Sequence, residues 1–195
     1  MVVPVMAQES QAVLQFDPPT LELMLDTQGK VNVFVQNVQN LYGIEFRLAF
    51  DPDLIEVIDA DPGEDGVQIW PADWWKDGFV AVNMVDNATG RIDFAATLLR
   101  PAQPVSGTRA IAVIPFKARK IGSSTLDVES AILSTRNAEM ISFIPQAGKI
   151  AVKPGSQVAS SRSEGPAPGR LALAGAATLA LVTALGGFIY ALRRR

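Results

Sequence analysis

Between Val13 and Lys153 apolar residues recur at every second position, and this constrains the fold more than any other feature of the chain. The run Val31–Asn37 sets Val31, Val33 and Val35 against Asn32, Phe34 and Gln36. The run Arg91–Leu99 sets Ile92, Phe94, Ala96 and Leu98 against Asp93, Ala95, Thr97 and Leu99. The stretch Asn40–Ile58 begins in the same way, with Ile44, Phe46, Leu48 and Phe50 opposite Gly43, Glu45, Arg47 and Ala49. Successive side chains of a strand point to opposite faces, so this period gives each strand one buried face and one free face. "TLDVES" and "GKIAVK" repeat the pattern on a smaller scale.

Turn-forming clusters punctuate these runs: "DPPT", "TQGK", "DPDL", "DPGEDG", "DNATG", "VSGT", "KIGSS" and "QAGK". No segment of this region sustains the 3.6-residue period of a helix. Short strands at spacings of roughly 8–12 residues predict an all-β protein, a two-sheet jelly-roll β-sandwich of about nine strands. Pro115 interrupts the run Ala110–Ala118. A proline cannot donate to a ladder, so that strand is expected at an edge or with a bulge.

The residue types present narrow the chemistry. The chain has no cysteine and no histidine. Disulfide frameworks and thiolate metal sites are excluded, and the commonest general base and metal ligand are missing. There is no G-x-S-x-G, no P-loop and no metal-ligand cluster, so the chain reads as a non-enzyme with no cofactor. Net charge is −3, and the three arginines that end the chain account for part of the positive side. No basic stripe remains, which argues against a nucleic-acid partner.

The ends suggest an address. Leu171–Leu192 carries 22 residues without a charge, Tyr190 lies near one boundary, and Arg193–Arg195 follow. As a helix rising 1.5 Å per residue it would span about 33 Å, against roughly 30 Å of bilayer hydrocarbon. The arginine bias places the C-terminus in the cytoplasm and the β-rich part outside the cell. "GSQVASSRSEGPAPGR" precedes the span, and residues 154–170 read as a flexible Pro/Gly/Ser-rich linker. "GPAPG" is a loose echo of a cell-surface sorting motif. Small residues at Ala172, Ala176, Ala180 and Ala184 could let two such helices approach. Val5-Met6-Ala7 fits the end of a signal peptide. The expected organisation is therefore 1–12 leader, 13–153 β-sandwich, 154–170 linker, 171–192 transmembrane helix and 193–195 cytoplasmic arginine tail.

The stretch "VNVFVQNVQNLYGIEFRLAFDPDLIEVIDADPGED" (Val31–Asp65) resembles the signature of the cohesin domain. "GRIDFAATLL", "AIAVIPFKARKIGSSTLDV" and "GKIAV" are similar to later segments of that family, in order, so the likeness covers residues 13–153. It implies a jelly-roll sandwich that holds dockerins, small helical modules loaded with Ca²⁺ and carried on secreted enzymes. The dockerin helices lie across one flat sheet face. On this chain that face would include Gly43, Glu45 and Arg47, and the neighbouring strand and turn would add Asn83, Asp86, Asn87, Thr89 and Gly90. Ca²⁺ would belong to the partner. The implied role is retention of a secreted, dockerin-bearing protein at the membrane, in polysaccharide degradation. The chain departs from the pattern in carrying a single module beside an apolar span, and in its insert "IWPADWWKDGF" (Ile69–Phe79).

That insert holds Trp70, Trp74 and Trp75 and leaves three readings open: a cap on one end of the sandwich, anchors at a protein interface, or an aromatic platform for polysaccharide. The last would make the chain a carbohydrate-binding module. A self-associating structural envelope protein is a further alternative. The acidic turn Asp59–Gly66 fails the EF-hand spacing and reads as a solvated turn. Asn87-Ala88-Thr89 fits an N-glycosylation sequon.

Overall fold

A computed structural model describes residues 11–155. The first ten residues of the leader, nearly all of the linker, the apolar span and the arginine tail lie outside the described residues. Among the described residues no helix is long and apolar enough to cross a membrane.

The described residues form twelve strand segments: β1 (Ala12–Asp17), β2 (Thr20–Met24), β3 (Gln28–Leu41), β4 (Gly43–Ala49), β5 (Ile55–Val57), β6 (Trp70–Pro71), β7 (Gly78–Asp86), β8 (Arg91–Leu98), β9 (Val105–Ala118), β10 (Gly122–Ser134), β11 (Phe143–Pro145) and β12 (Gly148–Lys153). One 3-10 turn, Asp73–Asp77, interrupts them. They build two curled sheets. The first runs β11-β1-β3-β9-β5 with β6 also on β9, and the second runs β2-β12-β10-β4-β8-β7.

The number of segments exceeds the expected nine or so because several are short. β5, β6 and β11 have only two or three residues, too few to show a period. "VSGT" is not a turn between strands: it opens the 14-residue β9. Gly107 there adopts φ +90°, and the β3–β9 register slips between Val35 and Leu41. The polar residues thus mark an irregular stretch of ladder.

The core follows the two-residue period. Val31, Val33 and Val35, then Ile44, Phe46 and Leu48, then Ile92, Phe94, Ala96 and Leu98 are all buried. Phe46 stacks on Phe94 at 5.1 Å between adjacent strands of the second sheet, and Phe50 meets Phe116 edge-on across the sandwich at 5.8 Å. Burying a side chain of this size contributes about 1.5–3 kcal/mol, so the paired phenylalanines are major terms of the core.

β9 is not an edge strand, yet Pro115 fits it for a local reason. Its carbonyl accepts the Ile58 N–H at 2.9 Å. In an antiparallel ladder a residue's N–H and C=O leave the same side. The missing donor therefore faces the gap between β5, paired at Phe116–Ala118, and β6, paired at Ala112–Val113. A bulge does occur in this strand, at Ile111, where the β3 register skips one residue.

The segment after β5 closes one open side of the sandwich. It pairs with the first sheet through β6 and with the second through a bridge between Val67 and Val85.

Candidate partner-binding face

β4, β8, β7 and β10 lie side by side in register, so their outward residues form rows across the second sheet. Glu45 stands opposite Ala95 on β8 and Ile132 on β10, and Ala95 stands opposite Val82 on β7. One step along, Arg47 stands opposite Asp93 and Ser130, and Asp93 opposite Met84. No element of the described residues covers this side, and Glu45 and Arg47 are exposed.

Arg47 Nε donates to Asp93 Oδ1 at 2.6 Å. That hydrogen bond, and then the charge of Asp93, raise the Arg47 pKa above its ordinary value. A second pair, Arg91 with Glu129 at 3.8 Å, flanks it. Glu45 has no ion-pair partner among the described residues. Two shallow hollows meet at Glu45 and Ala95. One is walled by Val82, Met84 and the Arg47–Asp93 pair, the other by Ala81, Thr97 and Ile132. Phe79, Met84 and Ile132 are 57%, 67% and 48% exposed. The face is therefore an apolar stripe set around a fixed ion pair and an unpaired carboxylate.

The residues expected at this site divide by role. Glu45 and Arg47 project from the face. Asp86 and Thr89 lie exposed at its rim, where Asp86 Oδ1 accepts the N–H groups of Ala88 and Thr89 and Oδ2 accepts the Thr89 hydroxyl. These bonds, the Thr89 hydroxyl first, hold the Asp86 carboxyl below the usual carboxylate range. Asn83 and Asn87 turn their amides inward. Asn83 accepts from Ile69 N and donates to Ile69 O, and Asn87 does the same with Val57. Gly43 and Gly90 are buried spacers. A Cβ at Gly43 would lie 2.9 Å from Ser134 Oγ, and one at Gly90, where φ is +70°, would overlap the Phe50 carbonyl. Sequence reasoning looked for polar contacts and missed the exposed apolar residues of β7, together with Ala95 and Ile132. Their signal was available in the outward phase of each strand.

The tryptophans do not form one platform. Trp75 is 3% exposed and stacks on Trp74 at 3.8 Å. The Trp74 and Trp75 indoles donate to the carbonyls of Ala110 and Ile111 at the β9 bulge. Trp70 stands apart on β6, donates to Ala60 O, and carries the Lys30 ammonium 4.3 Å from its ring centroid. This geometry is that of a cap on β9. Among the described residues no group of three acidic side chains is placed to hold a metal ion.

A family model described as the cohesin domain matches residues 26–152. Among solved structures, a type II cohesin dyad from a scaffoldin of Acetivibrio cellulolyticus is 14% identical with a TM-score of 0.60, covering 72% of this chain and 48% of that one. A type I cohesin–dockerin complex from Clostridium thermocellum gives 13% identity and 0.58, covering 74% and 100%. A non-cellulosomal cohesin from the archaeon Archaeoglobus fulgidus gives 11% and 0.55, covering 73% and 90%. No curated protein sequence matches the chain.

Proposed function

The chain belongs to the cohesin domain family, and from that premise we propose that it is a non-catalytic binding module whose β7-β8-β4-β10 face receives a dockerin-like helical module. The observation that carries this reading is the uncovered, in-register face, with exposed Phe79, Met84 and Ile132 around the Arg47–Asp93 pair. Large apolar side chains exposed beside charged ones on one flat surface fit a protein interface, with an apolar centre and a polar rim. One of the similar structures named above bears on the partner: the Clostridium thermocellum structure is a cohesin–dockerin complex, and a further similar structure is a cohesin of Acetivibrio cellulolyticus in complex with a dockerin. Glu45 and Arg47, with Asp86 and Thr89 at the rim, supply the charge pattern that selects among partners.

The uncharged stretch Leu171–Leu192 and the arginines after it support a second part of the reading. The module stands outside the cell on a linker, anchored by one membrane helix with its C-terminus in the cytoplasm. It retains there a secreted protein, in the first instance a dockerin-bearing polysaccharide hydrolase. Direct sugar binding by a three-tryptophan platform finds less support, because Trp75 is buried and all three indole N–H groups bond backbone carbonyls.

Titration of the chain with Ca²⁺-loaded dockerin modules encoded in the same genome tests the binding. A complex that is lost on Ala95→Arg, with unchanged thermal stability, is expected; binding that survives Ala95→Arg overturns the assignment of the face. Protease added to intact cells tests the orientation, and protection of the β-sandwich would reverse it. Concentration-dependent dimerisation in sedimentation would point instead to self-association.

A further inference from the structure

Met84 stands on β7 opposite Asp93 of β8, on the outer face of the second sheet. It is 67% exposed and walls a shallow hollow of about 190 Å³ with Val82, Ala95 and the Arg47–Asp93 pair. Two other methionines among the described residues are exposed, and both lie off the rows that hold Glu45 and Arg47. Met24 ends β2, the strand at the opposite edge of the sheet, and Met140, 81% exposed, lies between β10 and β11. Met84 alone of the three puts a thioether inside the apolar stripe. Arg47 is the one side-chain donor lining its hollow. Only Arg47 Nε is engaged, with Asp93, and the terminal guanidinium nitrogens make no hydrogen bond among the described residues.

We propose that Met84 is an oxidation site that switches the docking face off, with a peroxide as the oxidant. The inference rests on the assignment of this face to a dockerin-like partner. Oxidation to the sulfoxide turns a flexible apolar side chain into a polar one, and solvent reaches the Met84 side chain freely. The peroxide supplies everything the step needs. A sulfur lone pair attacks one peroxide oxygen, the O–O bond breaks and a sulfur–oxygen bond forms. The other oxygen leaves as water with both protons, so sulfur is oxidised and the peroxide reduced. The new oxygen is a hydrogen-bond acceptor in the hollow, and the terminal nitrogens of Arg47 are the donors at hand. Docking would then have to dehydrate a polar group in the stripe, and Arg47 would be drawn away from the partner. Folding is spared, because Met84 does not belong to the core cluster or pack against it.

Peroxide treatment of the full-length chain tests the site. The oxidant is removed before a Ca²⁺-loaded dockerin module of the same genome is added, so that only this chain is oxidised. Peptide mass spectrometry locates the added oxygen, and calorimetry reads the affinity. Treated parent should carry the sulfoxide at Met84 and bind about tenfold or more weakly, the scale of one polar group dehydrated without a partner, at an unchanged thermal midpoint. Met84→Leu conserves volume and apolar character, so it should bind as the parent does and keep its affinity after treatment. Met24→Leu and Met140→Leu should lose affinity on treatment as the parent does. Full affinity of a parent oxidised at Met84, or an equal loss in treated Met84→Leu, overturns the proposal and leaves the face standing, provided that Ala95→Arg still abolishes binding. Untreated parent that binds no dockerin, or Ala95→Arg that binds as the parent does, overturns the face and the switch with it.

Discussion

The Asn87 side chain holds both backbone groups of Val57: Oδ1 accepts its N–H at 2.8 Å and Nδ2 donates to its carbonyl at 2.9 Å. Asn87 follows β7 of the second sheet and Val57 ends β5 of the first, so one amide ties the two layers where no ladder could. Asn83 repeats the device on Ile69, four residues away. Asn87→Ala leaves a buried peptide with neither partner. Each unsatisfied group costs about 1–3 kcal/mol, so urea denaturation should show a loss of roughly 2–6 kcal/mol for the two. Asn87→Asp keeps the acceptor and loses the donor, and should cost less than Asn87→Ala. Because both amide atoms are engaged, the Asn87-Ala88-Thr89 sequon should stay unglycosylated in the folded chain; a glycan at Asn87 by mass spectrometry, in a glycosylating host, would show that this clamp opens.

Two glycines with positive φ allow a matched comparison. Gly90 has φ +70° and its Cβ position is filled by the Phe50 carbonyl, while Gly107 has φ +90° with nothing within 4 Å. Gly107→Ala should cost only the backbone strain, about 1–2 kcal/mol. Gly90→Ala adds an overlap that the turn and the Phe50–Gly90 hydrogen bond must move to relieve. Its loss should clearly exceed that of Gly107→Ala in the same denaturation experiment. Equal losses would mean that the turn relaxes freely.

The sandwich was legible because its information is local. Residues such as Val31, Phe46 and Ile92 announce their faces through the two-residue period, and no distant contact is needed to read it. Short segments failed for the same reason. Trp70–Pro71 becomes strand β6 only because β9 lies beside it, and nothing within two residues can declare a period. The site was half legible. The outward direction of Glu45 and Arg47 was readable because alternation exposes them. The inward amide bonds of Asn83 and Asn87 were not readable because their partners, Ile69 and Val57, are 14 and 30 residues away. Met84 and Phe79 went unread because apolar residues on a strand are assigned to the core by default, and β7 mixes both phases around a bulge between Val80 and Val82.

The turn at the rim of the face should respond to acid. Hydrogen bonds from Thr89 and Ala88 favour the charged Asp86 and lower its pKa in the folded chain. A lowered folded-state pKa gives stability that is fully present above the unfolded value, about 3.9, and disappears as pH falls through the folded one. Neutral-pH stability should therefore be flat with respect to this group, and its share should fade only below about pH 4. Asp86→Asn should remove that part of the acid dependence in denaturation curves collected across the acidic range. An Asp86→Asn curve parallel to the parent's would show that the turn does not favour the charged form.

The outer face makes the sharpest separation between folding and binding. Glu45 and Arg47 are exposed, and exposed ion pairs stabilise a fold little. Glu45→Arg should thus leave the thermal midpoint nearly unchanged. It places a second cation beside Arg47 and inverts the charge met by an incoming partner. Desolvated charge mismatches at an interface cost several kcal/mol, so affinity for a dockerin that binds the parent should fall by about two orders of magnitude or more. Met84→Asp tests the apolar half of the face in the same way, since it removes a 67% exposed side chain that no core contact requires. If both variants bind as the parent does, the docking surface lies elsewhere on the sandwich. If only Glu45→Arg loses affinity, recognition is mainly electrostatic and should weaken steeply with salt. Loss with both, at unchanged stability, is the result expected of a face whose apolar stripe and charges act together.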